Sequence, residues 1–200
     1  MNERRFWRLV RRAHTAERDE TAPIIALLLG LLHQEAAPDV IRFHRRLAEV
    51  HRRAYRWDLW TAFRIVLGEV DAALFSDAVS WLILRGKRTF RRTLVDPDFL
   101  ASLPVERVDL AAAGRLLGLA HERLTPSHDP DADLLLIQQA ISEALRVPRS
   151  SPVPPGELPS MDGESLRARY PRLCGRYPLD GIAAPVQVAP GRRRDVVSDA

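Results

Sequence analysis

With 200 residues, 46% of them hydrophobic and 28% charged, the chain is long enough for one ordinary globular core and too apolar to be disordered throughout. Its net charge of +4 and pI of about 9.9 come almost wholly from arginine, since Lys87 is the only lysine. Such Arg- and Ala-rich usage points to a bacterium with a GC-rich genome, so the basic balance by itself says little about nucleic acid, and the single cysteine, Cys174, excludes an intrachain disulfide and fits a reducing compartment.

Hydrophobic residues recur every three or four positions and no stretch alternates as a strand does, which predicts an all-α fold, a single compact bundle of about six to eight helices. That bundle is expected to fill residues 1–147. The first helix is predicted over Glu3–Glu17, with Phe6, Leu9, Val10 and Ala13 on one face and Arg4, Arg8, Arg11 and Arg12 on the other. Thr21 is placed to cap a second helix, with Pro23 in its first turn and Leu27, Leu28, Leu31 and Leu32 inward. The apolar run Ile24–Leu32 is far short of the roughly 20 residues of a membrane span. It also follows Glu17, Asp19 and Glu20, which is wrong for a secretory signal. No membrane association and a cytoplasmic location are therefore expected.

Pro38 and Asp39 open the longest periodic segment. Val40, Phe43, Leu47, Val50, Ala54 and Trp57 make one continuous stripe, with Arg42, Arg45, Arg46, Glu49 and Arg52 largely off it. From Tyr55 to Leu67 apolar residues cover most of the circumference, the mark of a central helix, and Gly68 is a suitable end for it. A buried helix is predicted over Ala72–Leu84, with Leu74, Phe75, Ala78, Trp81 and Leu82 inward. Arg85-Gly86 breaks it, and Lys87–Leu94 makes a short basic helix held by Phe90 and Leu94. Asp96-Pro97-Asp98 is a turn and helix start, and Val105–Leu124 and Asp133–Val147 are two more amphipathic helices joined by Thr125–Pro130. A proline-rich linker, PRSSPVPPGELPS, covers 148–160; a short docking helix near Gly163–Arg169 lies within 161–175; an irregular tail runs over 176–200. No internal repeat is evident.

The segment Ala54-Tyr55-Arg56-Trp57-Asp58-Leu59-Trp60 resembles the bacterial domain-of-unknown-function family numbered 4240. The resemblance begins at Phe6-Trp7 and runs through Phe43, Leu47, Gly68, Phe75, Trp81-Leu82-Ile83, Gly86, Phe90 and Asp96-Pro97-Asp98. Tyr170-Pro171-Arg172-Leu173 is similar to a motif that closes many members. It implies an all-α fold and brings no established activity. One departure stands out: where members carry an acidic Ser-Asp-Asp-Gly turn before the phenylalanine matching Phe75, this chain has Asp71-Ala72-Ala73-Leu74. Any function of that acidic pair is expected to be lost or altered through Ala72 and Ala73.

Tyr55, Arg56, Trp57, Asp58 and Trp60 form the first candidate binding site, because Asp58 interrupts the densest aromatic segment and a buried carboxylate needs a partner. The plainer account is an ion pair with an arginine of another helix, or exposure on a polar strip with Thr61 and Arg64. Arg85, Lys87, Arg88, Arg91 and Arg92 make a basic patch, and Arg4, Arg5, Arg8, Arg11 and Arg12 a second cluster, of the kind that binds phosphate. A solvated surface is the plainer account there. His44 and His51 stand about 10 Å apart along one helix, too far to share a metal unaided, and His121-Glu122 has no third ligand. His128–Asp133 resembles a calcium loop in outline, but Leu134 and Ala140 replace the required glycine and glutamate, so a helix start explains it better. No catalytic residues, metal site or cofactor are expected. The favoured expectation is a non-catalytic helical interaction or regulatory module with a protein partner, bound near Tyr55–Trp60 or through the tail. Less favoured are a nucleic-acid-associated protein using the arginine clusters and an enzyme pairing Asp58 with a histidine such as His121.

Overall fold

A computed structural model describes residues 1–16, 20–125, 134–146 and 153–179. Its elements are α1 (Glu3–Ala16), α2 (Thr21–His33), α3 (Ala37–Arg53), α4 (Trp57–Leu67), α5 (Ala72–Leu84), α6 (Gly86–Val95), a 3-10 turn at Pro97–Ser102, α7 (Arg107–Ala113), a second 3-10 turn at Gly114–Gly118, α8 (Leu119–Leu124), α9 (Leu134–Ala144), α10 (Gly163–Arg169) and α11 (Pro171–Arg176). No strand occurs among the described residues. The protein is a compact all-α fold.

α5 is the hub. Phe75, Ala78, Val79, Trp81, Leu82, Ile83 and Leu84 are all sealed from solvent, because α1, α2, α3, α4, α6 and α7 pack around it. A helix apolar on nearly every side has to be surrounded in this way. The stripe on α1 is buried as its periodicity requires, with Trp7 added to Phe6, Leu9, Val10 and Ala13. On α2 the deepest residues include Ile24 and Ile25, whereas Leu27 is half-buried, and Thr21 lies inside the helix rather than capping it. A smaller cluster of Val40, Ala120, Ile141 and Leu145 joins α9 to α3 and α8.

Three boundaries differ from the periodic pattern. α3 stops at Arg53; Ala54 and Tyr55 close on His51 and Arg52 with tightened i→i+3 bonds, Arg56 is extended (φ −137°, ψ 142°), and Trp57 opens α4. The stripe therefore crosses a corner between two helices. The predicted helix Val105–Leu124 is three pieces, because Gly114 and Gly118 hold the chain weakly in the α form. A β-carbon at Gly114 would lie 2.5 Å from the Asp77 carboxylate, so a larger residue there would have to push that side chain aside. The third difference is α11, which Pro171 starts.

Residues 153–179 belong to the main core. Leu166, Tyr170 and Leu173 are buried against α4 and the Pro97–Ser102 turn. Asp98, 5% exposed, accepts the backbone N–H groups of Arg172 (3.0 Å) and Leu173 (2.8 Å) and the Arg172 Nε (2.9 Å). The predicted calcium-like stretch 128–133, the linker residues 148–152 and most of the 176–200 tail lie outside the described residues.

Candidate functional site

The inward stripe of α1 leaves Arg4, Arg8 and Arg11, spaced i, i+4, i+7, on one line of its opposite side. Trp7 packs on Phe90 of α6 with ring centroids 5.5 Å apart, which draws the two helices together. Gly86, at φ +87°, turns the chain sharply out of α5 and sets Lys87 and Arg88 opposite that line. Between the walls is a cavity of about 500 Å³, lined by Arg4, Arg8 and Arg11 on one side, Arg85, Lys87 and Arg88 on the other, with Trp7 and His14 between. The two arginine clusters, separate in sequence, thus meet in space.

Two of the six cations are already engaged. Lys87 pairs with Glu3 at 3.2 Å, and Arg53 reaches the same carboxylate at 3.4 Å. Hydrogen bonding from Lys87, with help from Arg53, holds the Glu3 carboxyl below its usual range. Arg85 is buried over the Trp81 ring (4.8 Å), donates to Thr21 Oγ1 at 2.9 Å and lies 3.6 Å from Asp109. Arg4, Arg8, Arg11 and Arg88 have no ion-pair partner among the described residues. Many other surface arginines do, such as Arg42 with Asp39, Arg46 with Glu49 and Arg115 with Glu122. The indole N–H of Trp7 is buried without an acceptor among the described residues. Arg91 and Arg92 fall outside the cavity: Arg91 is exposed, and Arg92 lies over the Phe99 ring at 4.0 Å. Arg5 is engaged by Glu35 and Asp39.

The aromatic segment has a different environment. Trp60 is buried, packed at a tilt between Phe75 (4.6 Å) and Trp57 (5.6 Å), and Tyr55 packs on Phe75 at 5.1 Å. Burial pushes the Tyr55 phenol up. Asp58 is held by Arg56, one residue before α4, and accepts the Leu59 N–H at 2.8 Å; Arg56 also donates to the Leu94 carbonyl at 3.0 Å. The Trp57 indole donates to the Gly156 carbonyl at 2.9 Å, and the Tyr170 hydroxyl donates to the Asp58 carbonyl at 2.9 Å. Burial raises the Tyr170 phenol to about 12, so it stays a donor. The chain's own residues 153–177 therefore cover this face. His121 bonds with Thr125 on its own helix, and no hydrogen bond or ion pair joins it to Asp58.

The family described as Protein of unknown function (DUF4240) matches residues 1–124, more than half of the chain. The chain belongs to that family. No curated protein and no solved structure matches it. The matched stretch of this DUF4240 chain holds every residue of the basic cavity and the whole face around Trp57, while the segment that covers Trp57 lies beyond it.

In this DUF4240 chain the stretch Asp71-Ala72-Ala73-Leu74 opens α5. Asp71 caps α5 by accepting the Leu74 N–H at 2.7 Å, and Ala72 and Ala73 occupy the first turn. Glu69, Asp71 and Asp77 share a cavity of about 450 Å³ with Arg107, whose guanidinium donates to the Leu67 carbonyl at 2.7 Å. Burial, and then the neighbouring Asp71, push the Asp77 carboxyl up. No group of three or more metal-ligating side chains converges among the described residues. Nor is any described helix long and apolar enough to cross a membrane. The Cys174 thiol is half-buried, and burial raises its pKa, away from the reactive thiolate.

Proposed function

We propose that the protein is a non-catalytic helical binding module whose ligand is a phosphate-bearing anion, held in the cavity between α1 and α6. One observation carries this reading: the guanidinium groups of Arg4, Arg8, Arg11 and Arg88 line a single cavity, and no carboxylate among the described residues neutralises them. Like charges gathered on one concave wall raise the local potential, and a multiply charged anion relieves it. Arginine suits the task because its planar fork matches two phosphate oxygens at once. The ligand chemistry is that of the cytoplasm, in keeping with the cysteine usage.

A protein partner at the Trp57 face would have to displace residues 153–177 together with buried Leu166, Tyr170 and Leu173, whereas the arginine cavity is open. That asymmetry favours the anion.

Calorimetric titration of the full chain with inorganic tripolyphosphate at low salt tests the reading. Saturable binding is expected, weakened about tenfold by Arg8→Glu or Arg88→Glu and progressively by added salt. Arg52→Glu, an exposed site on α3 away from the cavity, should leave it unchanged. An absence of saturable binding by the wild-type chain rules the reading out.

A further inference from the structure

The anion cavity is bounded, and its bounds speak to the size of the ligand. On one edge Glu3 stands between Lys87 and Arg53; on another Asp109 faces Arg85. Carboxylates at these two edges interrupt the positive charge there, while exposed Arg12 and Arg91 carry it a little past the cavity on α1 and α6. A nucleic-acid backbone, which carries a charge at every step, is served by a long basic track. Here four guanidinium groups, unpaired among the described residues, are gathered around one open cleft of about 500 Å³, a volume within the range of small-molecule sites. That space is also much larger than one phosphate group needs.

The kind of cation narrows the ligand further. A guanidinium presents two different surfaces: an edge of N–H donors that grips phosphate, and a flat face that stacks on a planar ring. Arg8, Arg11 and Arg88 are exposed and, among the described residues, free of carboxylates, so neither surface is taken. Trp7 adds an aromatic side to the cavity between the two arginine walls. Phosphates gripped along the Arg4–Arg8–Arg11 line would leave the opposite wall, with Arg88, for the remainder of the ligand.

We infer that the cavity takes a free nucleoside di- or triphosphate, with the phosphates on the α1 arginines and the base stacked on a guanidinium face. This rests on the anion-binding reading above, and the experiment separates the two. The full chain is titrated in parallel with a purine nucleoside triphosphate, with inorganic tripolyphosphate and with a short DNA duplex at matched low salt. The nucleoside triphosphate should bind one per chain and about tenfold tighter than tripolyphosphate, the difference that stacking of one base supplies. Arg88→Lys, on the wall opposite the α1 line, keeps the charge and loses the flat face. It should erase most of that tenfold advantage while weakening tripolyphosphate much less than Arg88→Glu does, with circular dichroism confirming an intact fold. Equal affinity for the two compounds overturns the nucleotide inference and leaves the anion site standing. Tighter binding of the duplex overturns it in favour of a polymer. No binding of any of the three removes both readings.

Discussion

His51 lies in the last turn of α3 and is 8% exposed, with its Nε2 3.2 Å from the Ser76 carbonyl and 3.4 Å from the Ser76 hydroxyl. Its ring lies against Tyr55, at 5.9 Å between centroids. A carbonyl only accepts, so Nε2 carries the proton and the neutral ring is the form that fits. Burial pushes the His51 pKa below the ordinary 6.5, and the Ser76 carbonyl opposes that only in part. Burial lowers His44 on the same helix too. When the folded pKa of a histidine is depressed, the unfolded chain takes up the proton first as pH falls. The stabilisation is therefore complete above the unfolded value of about 6.5 and drains away as pH drops through the folded one. The urea midpoint should be lower at about pH 5.5 than at about pH 7.5, and His51→Gln should shrink that difference. Carboxylates such as Glu3 and Asp39, held below their usual range, act only at lower pH and do not confuse the comparison. A wild-type midpoint that is flat across this window contradicts the burial argument.

Gly86 shows how one backbone angle shapes the arrangement of elements. At φ +87° with nothing within 4 Å of where a β-carbon would sit, the position has room for a side chain but not the conformation for one. Gly86→Ala should cost about 1 kcal/mol in urea unfolding, through backbone strain alone. An unchanged midpoint would mean the turn can relax. Residues of this kind are readable in the sequence: Arg85-Gly86 and Gly68 punctuate the chain where helices end, and Ala72–Leu84 and Gly163–Arg169 are bounded as their patterns indicate. Periodicity alone could not place the corner at Ala54–Arg56, because Trp57 remains in phase with the α3 stripe across it. It could not divide Val105–Leu124 either, since Gly114 and Gly118 weaken a helix there without dictating that it breaks. The cavity was legible only in halves. The spacing of Arg4, Arg8 and Arg11 fixes a line on α1, and Lys87 and Arg88 fix a basic turn, but their meeting depends on Trp7 packing against Phe90. The same non-local packing sends Arg92 onto Phe99 and gives Arg5 to Glu35.

The whole molecule is closed by its C-terminal segment, and Asp98 is where that closure concentrates. Removing this buried carboxylate leaves the Arg172 and Leu173 backbone N–H groups without their acceptor, while the half-exposed Arg172 guanidinium keeps Asp96 as a partner. Asp98→Ala should therefore lower stability by about 2 kcal/mol, the scale of buried backbone donors left unsatisfied. Ending the chain at residue 152 goes further. It strips Leu166, Tyr170 and Leu173 from the core and leaves the Trp57 indole and the Asp58 carbonyl without their partners. Three buried side chains at about 1.5–3 kcal/mol each amount to a large part of the 5–15 kcal/mol that holds a typical domain together. The shortened chain should unfold at a much lower urea concentration and bind a hydrophobic dye through the uncovered α4 face. Asp98→Ala should fall between it and the wild type, with a single cooperative transition in each case. If the shortened chain instead keeps the wild-type midpoint, residues 153–179 are a loosely held appendage, and the α4 face is open to a partner after all.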